Sequence, residues 1–63
     1  MLGKWIKPVD GWKFHRIIGV GRMFVYSECG GLFEHKHPKA IIKKRPPMKD
    51  RCFHCVRIIN KNQ

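Results

Sequence analysis

Acidic side chains are scarce: the 63-residue chain carries four Asp or Glu against fourteen Lys or Arg, for a formal net charge of +10. Long apolar runs are missing too. No stretch approaches the about 20 residues that span a bilayer. The opening MLGKWIKPVDGWK also lacks a continuous apolar segment and a small-residue cleavage site. The expectation is a cytoplasmic protein with no membrane partner. Catalytic motifs are absent as well: neither H-x-E nor H-E-x-x-H occurs, and only Asp10, Glu28, Glu34 and Asp50 could serve as a general base. No enzyme is expected. Nor is there much room for a core, since a scaffold this small supplies about 3–5 kcal/mol against an ordering cost of roughly 1.5 kcal/mol per residue.

What the chain does contain argues for a fold. Hydrophobic residues make up 43% and aromatics 11%, too many for a disordered basic tail. A staple is therefore needed, and Cys29, Cys52 and Cys55 are the material for it. Three cysteines cannot all pair within one chain, and a reducing cytosol keeps thiols free, so metal binding explains them better than disulfides.

Residues 1–11, with Pro8 and the Asp10-Gly11 turn signal, read as an N-terminal arm whose Trp5 and Ile6 dock back on the body, and residues 12–63 as a single domain. WKFHRII and MFVYSE flank GVGR and predict a β-hairpin with the glycines in its turn. A three-residue loop at Val20-Gly21-Arg22 would pair Ile17 with Val25, His15 with Ser27 and Lys13 with Cys29. His15 and Cys29 would then share a face. The other face would collect Trp12, Phe14, Ile18, Phe24 and Tyr26. Most of its rings are expected to pack against Ile41, Ile42, Phe53 and Val56; the competing expectation is a platform of Trp12, Phe14, Phe24 and Tyr26, beside Arg16 and Arg22, on which single-stranded bases stack. A two-residue loop would separate His15 from Cys29, unless a bulge intervened or Cys29 had already left the strand. Beyond it, one short strand is expected around Ile41 and Ile42. After Pro47, Asp50 is placed to cap a short helix through RCFHCVRIIN, with Phe53, Val56 and Ile59 on one side. The β-branched Val56, Ile58 and Ile59 would also suit a strand; the helix is the preferred reading. The expected class is α+β: a hairpin, a short strand and a C-terminal helix around one zinc site.

Cys52-Phe53-His54-Cys55 is a C-x-x-C knuckle, a spacing that brings two thiolates to one tetrahedral ion from a single turn of backbone. Structural zinc takes four protein ligands, so three cysteines call for one histidine. Four histidines are available. His54 lies inside the knuckle and points outward; His35 and His37 sit in the basic HKHPK stretch. His15 is favoured because strand pairing would hold it near Cys29 before metal arrives, lowering the entropy that chelation must overcome. Three thiolates and a neutral imidazole around Zn²⁺ would bring the total charge from +10 to about +9. Arg51 and Arg57 are placed to offset the thiolate charge.

F-H-R-I-I on one strand, V-Y-S-E-C-G-G ending the next, and R-C-F-H-C-V-R later resemble the small Cys3His zinc-binding proteins of bacteria and phages, of zinc-ribbon or treble-clef type. That resemblance implies His15, Cys29, Cys52 and Cys55 as ligands and implies no enzymatic activity. The long basic insertion between Cys29 and Cys52 departs from the pattern.

Lys36, Lys39, Lys43, Lys44 and Arg45 concentrate charge in that insertion, and Arg16 and Arg22 add to it from the hairpin. Such side chains neutralise phosphates and release condensed counterions, so DNA or RNA is the expected partner of a monomeric chain. The competing expectation is a regulator or inhibitor, phage-encoded, that docks on an acidic surface of a host enzyme such as RNA polymerase or a nuclease.

Overall fold

The computed structural model describes residues 1–61, so the last two residues of the 12–63 unit lie outside the described residues. Five strands, β1 (Trp5–Lys7), β2 (His15–Val20), β3 (Phe24–Ser27), β4 (Leu32–Glu34) and β5 (Ile41–Lys43), precede one helix, α1 (Phe53–Lys61). The strands form an antiparallel sheet in the order β4-β3-β2-β1-β5. The fold is α+β, and no helix among the described residues is long and apolar enough to cross a membrane.

Trp5–Lys7 departs from the irregular arm expected of residues 1–11. It is a strand between β2 and β5, with Trp5 opposite Arg16 and Lys43, and Ile6 opposite His15 and Ile42. Successive strand residues face opposite sides, yet Trp5 and Ile6 are both buried. Each belongs to a different core cluster. Ile6 packs with Ile17 and Val25, backed by Phe33, Ala40 and Ile42. Trp5 packs with Phe14, Cys52 and Cys55, backed by Cys29, Val56 and Ile59. A strand buried on both faces shows no apolar-polar alternation, which is why its sequence is silent.

The β2–β3 hairpin corrects the expected register. Its loop is Arg22-Met23, closed by the Gly21 N–H donating to Phe24 O at 2.7 Å, and neither Gly19 nor Gly21 has a positive φ. Val20 faces Val25 and Gly19 faces Tyr26. Past a bulge at Ile18, Ile17 faces Ser27 and the Glu28 N–H donates to Arg16 O at 2.9 Å. Such a loop would have put His15 and Cys29 on opposite faces. The extra residue restores the parity, and continuing the register sets His15 across from Cys29.

The apolar face expected for the core is mostly open. Of Trp12, Phe14, Ile18, Phe24 and Tyr26, only Phe14 is buried. The face that carries Ile17, Val25 and Ser27 turns inward instead.

β4 was not foreseen. Only Phe33 of its three residues turns inward, and the polar EHKH run begins within it. The strand near Ile41 and Ile42 is β5, as expected. Asp50 does not cap α1: it ends a 3-10 turn, Met48–Asp50, and Arg51 is extended. The Cys52 carbonyl accepts the first helical bond, from the Val56 N–H at 3.0 Å. Cys55, Val56 and Ile59 face the core, whereas Phe53 is 69% exposed rather than packed beside them.

Candidate metal centre

Cys29 sits in the tight β3–β4 turn. The Ser27 N–H donates to Gly31 O at 2.9 Å, and the Gly30 N–H to Ser27 O at 3.0 Å. Gly30 has φ +90°, where a side chain would be strained, and a Cβ on Gly31 would lie 2.6 Å from the Phe33 ring. Glycine at position 30 is therefore what this turn requires, and Gly31 leaves room for the Phe33 ring. Ser27 Oγ accepts from the Gly31 N–H at 2.8 Å and lies 3.2 Å from Cys29 Sγ.

Cys52 is aligned by backbone. The Phe14 N–H donates to Asp50 O at 2.7 Å and the Cys52 N–H to Phe14 O at 2.6 Å, a parallel bridge that sets the knuckle beside the residue preceding His15. Cys55 follows on the first turn of α1, fully buried. His15 shares the strand face of Ile6 and stacks on Phe33, ring centroids 4.5 Å apart. The four residues thus join the two core clusters.

One donor atom from each of His15, Cys29, Cys52 and Cys55 lies within 4.8 Å of the others, a group able to hold a metal ion. His15 Nδ1 is 3.5 Å from Cys29 Sγ and 4.0 Å from Cys55 Sγ. Burial lowers the His15 pKa below its usual 6.5, favouring the neutral imidazole that a metal needs. Burial also pushes the Cys55 thiol up to about 12. At Cys29 burial raises the pKa too, but hydrogen bonds from Ser27, the Gly31 backbone and the Cys55 and Cys52 side chains outweigh it and bring the thiol below 9.0.

The other histidines lie elsewhere. His35 Nε2 is 3.1 Å from Gly21 O at the hairpin tip; His37 Nδ1 accepts from the Lys39 N–H at 3.1 Å; exposed His54 meets Phe53 edge-on.

The basic residues are carried by several parts of the fold. Arg16, Lys44 and Arg45 line a groove between β1 and α1. Lys43 Nζ lies 5.5 Å from the Phe14 ring centroid. Lys36 and Lys39 are exposed between β4 and β5, and Arg22 is exposed at the hairpin tip. Arg51, expected beside the thiolates, is held by other partners. Its Nε donates to Pro46 O at 2.8 Å, and its guanidinium lies over Trp5 at 5.0 Å, on the wall of the same groove. The 3-10 turn after Pro46-Pro47 brings it there, and nothing in the spacing announced that. Comparison with family models, curated proteins and solved structures finds no match to this chain.

Proposed function

We propose that this is a non-catalytic domain, stapled by one structural zinc ion, that binds nucleic acid along the groove of Arg16, Lys44, Arg45 and Arg51. Zinc is the ion the donor set suits best. Bonds of about 2.3 Å to sulfur and about 2.0–2.1 Å to nitrogen give tetrahedral S···N edges of about 3.6 Å. Distances of 3.5 and 4.0 Å from His15 Nδ1 to two sulfurs support that fit. Soft thiolates with one imidazole favour zinc over the hard cations. Four protein donors complete the shell and leave no position for a reacting water, which argues for a structural role.

The observation that carries the nucleic-acid reading is the convergence of those four cations on one groove whose lining, among the described residues, includes no carboxylate. Arg51 is held by Pro46 and Trp5, so it presents its remaining donors with little entropy left to lose.

Two measurements test the reading. Metal analysis of the purified chain should find one zinc per chain, and His15→Ala should weaken zinc far more than His37→Ala; a folded, metal-free Cys29→Ser protein would exclude the staple. Gel shifts with duplex and single-stranded probes should weaken steeply with salt, by a log-log slope of about −0.7 to −0.9 per neutralised phosphate. The Lys44→Ala/Arg45→Ala variant should lose much of that affinity while keeping its zinc. Binding that is unchanged in this variant would remove the groove.

A further inference from the structure

Next to the cationic groove is a cleft of different character. Trp12, Met48 and Phe53 are among its walls, and their exposures of 90%, 64% and 69% leave three large apolar side chains in solvent. Lys13, Lys49, Arg51 and His54 border them. Lys13 is fixed at this rim, its Nζ donating to Lys49 O at 2.6 Å. The cleft and the groove share Met48, Arg51 and Val56, so they run into one another across the 3-10 turn.

Neither hydrophobic packing nor the metal accounts for these rings. Trp12 belongs to neither core cluster, and Phe53, between Cys52 and Cys55, is largely exposed at the start of α1. A chain of net charge +10 with bare aromatic faces beside a row of cations offers two features at once: attraction for a charged backbone, and flat surfaces for its planar substituents. Duplex DNA presents only the first to a protein surface, since its bases are stacked on one another. An unpaired strand presents both.

We infer that the cleft of Trp12 and Phe53 is a base-stacking site, and that the ligand of this domain is a single-stranded polynucleotide. Its phosphates would follow Lys44, Arg45, Arg16 and Arg51, and an unpaired base would enter beside Trp12. This deepens the nucleic-acid reading and rests on it. The cations alone would bind any polyanion; the exposed rings select strands whose bases are free. Lys13 and Lys49 would meet the phosphate on the far side of the stacked base.

The test uses the intact zinc-bound chain, a short oligothymidylate, an abasic strand of the same length, and a duplex. Trp12 reports directly, because the other tryptophan, Trp5, is buried. Oligothymidylate should quench the exposed tryptophan and bind more tightly than the abasic strand. Trp12→Ala should weaken oligothymidylate roughly 5- to 150-fold, the range of one lost base–aromatic stack. It should leave abasic and duplex binding nearly unchanged, and Trp12→Phe should recover most of the loss. Equal binding of oligothymidylate by wild type and Trp12→Ala, with loss in Lys44→Ala/Arg45→Ala, would overturn the stacking site while leaving the cationic groove standing. Failure of every nucleic acid to bind, with polyglutamate binding instead, would overturn both readings in favour of an acidic protein surface. Zinc content and circular dichroism of each variant confirm that a loss of binding is not a loss of fold.

Discussion

The two core clusters are held by different physics. Ile6, Ile17 and Val25, with Phe33, Ala40 and Ile42 behind them, form an aliphatic cluster contributed by the sheet and the segment leading into β5. Burying such a side chain contributes about 1.5–3 kcal/mol, and that contribution needs no ion. The second cluster has Trp5 and Phe14, but its other buried members are Cys52 and Cys55. A buried thiol adds little area, and a buried thiolate without a cation is costly. On the proposed metal reading, helix α1 depends on an ion more directly than the sheet does. His15 and Cys29, from the sheet, reach the knuckle and make the stability of one side conditional on the other.

Removing the metal should break this asymmetry most sharply. Structural zinc contributes an apparent 10–16 kcal/mol or so in finger peptides, comparable with the whole stability of a domain. Chelation, or Cys55→Ser, should therefore unfold the chain, read by circular dichroism and amide exchange. Protected α1 amides in metal-free protein would show that the two clusters stand independently.

Acidification approaches the same end by degrees. Each ligand must be deprotonated to bind, so the metal-free state holds more protons and zinc affinity rises with pH. For Cys55, whose thiol burial pushes up to about 12, the metal has to displace a proton throughout the neutral range. For His15, whose pKa burial lowers from 6.5, proton competition appears only on the acid side of that value. Apparent zinc affinity should rise at least about tenfold per unit between about pH 6.5 and 8, measured by competition with a chromophoric chelator.

Mutation of the aliphatic cluster probes the other side. Ile6→Ala should cost about 2–5 kcal/mol in denaturant unfolding of the zinc-bound chain, with one zinc per chain still bound. Loss of zinc along with stability would mean that the sheet cluster organises the ligands rather than merely supporting them.

The smallest expected effect is at the turn that carries Cys29. Gly30→Ala forces a side chain to φ +90° and should cost about 1–2 kcal/mol, with a modest fall in zinc affinity as Cys29 shifts.

Legibility in the sequence followed the chemistry of each residue. His15, Cys29, Cys52 and Cys55 were readable because thiols and imidazoles at knuckle and hairpin spacings have few other uses, and the structure brings these four together. The helix through the knuckle and the strand near Ile41 were readable from local pattern. β1 was hidden because both its faces are covered, so Trp5 and Ile6 produce no alternation. β4 is only three residues long and runs straight into the polar EHKH stretch, so it does not announce itself, and Asp50 looked like a cap only because the 3-10 turn it ends cannot be told from a helix start. Most of the hairpin aromatics were expected in the core, yet Phe24 and Tyr26 face outward and Trp12 lies in the bend before β2, because a hydrophobic residue carries no label saying which face is covered.

Composition and spacing were enough to establish that this chain is strongly basic, needs a staple, and has three cysteines that call for one of its four histidines. Those are properties of residue types, and they hold whatever path the backbone takes. The placement of groups far apart in the chain rested on the assembled molecule: a single extra residue at Ile18 realigns His15 with Cys29, and the 3-10 turn carries Arg51 and Met48 to the junction of groove and aromatic cleft. Register and burial come from many weak contacts satisfied together, so no local stretch contains them.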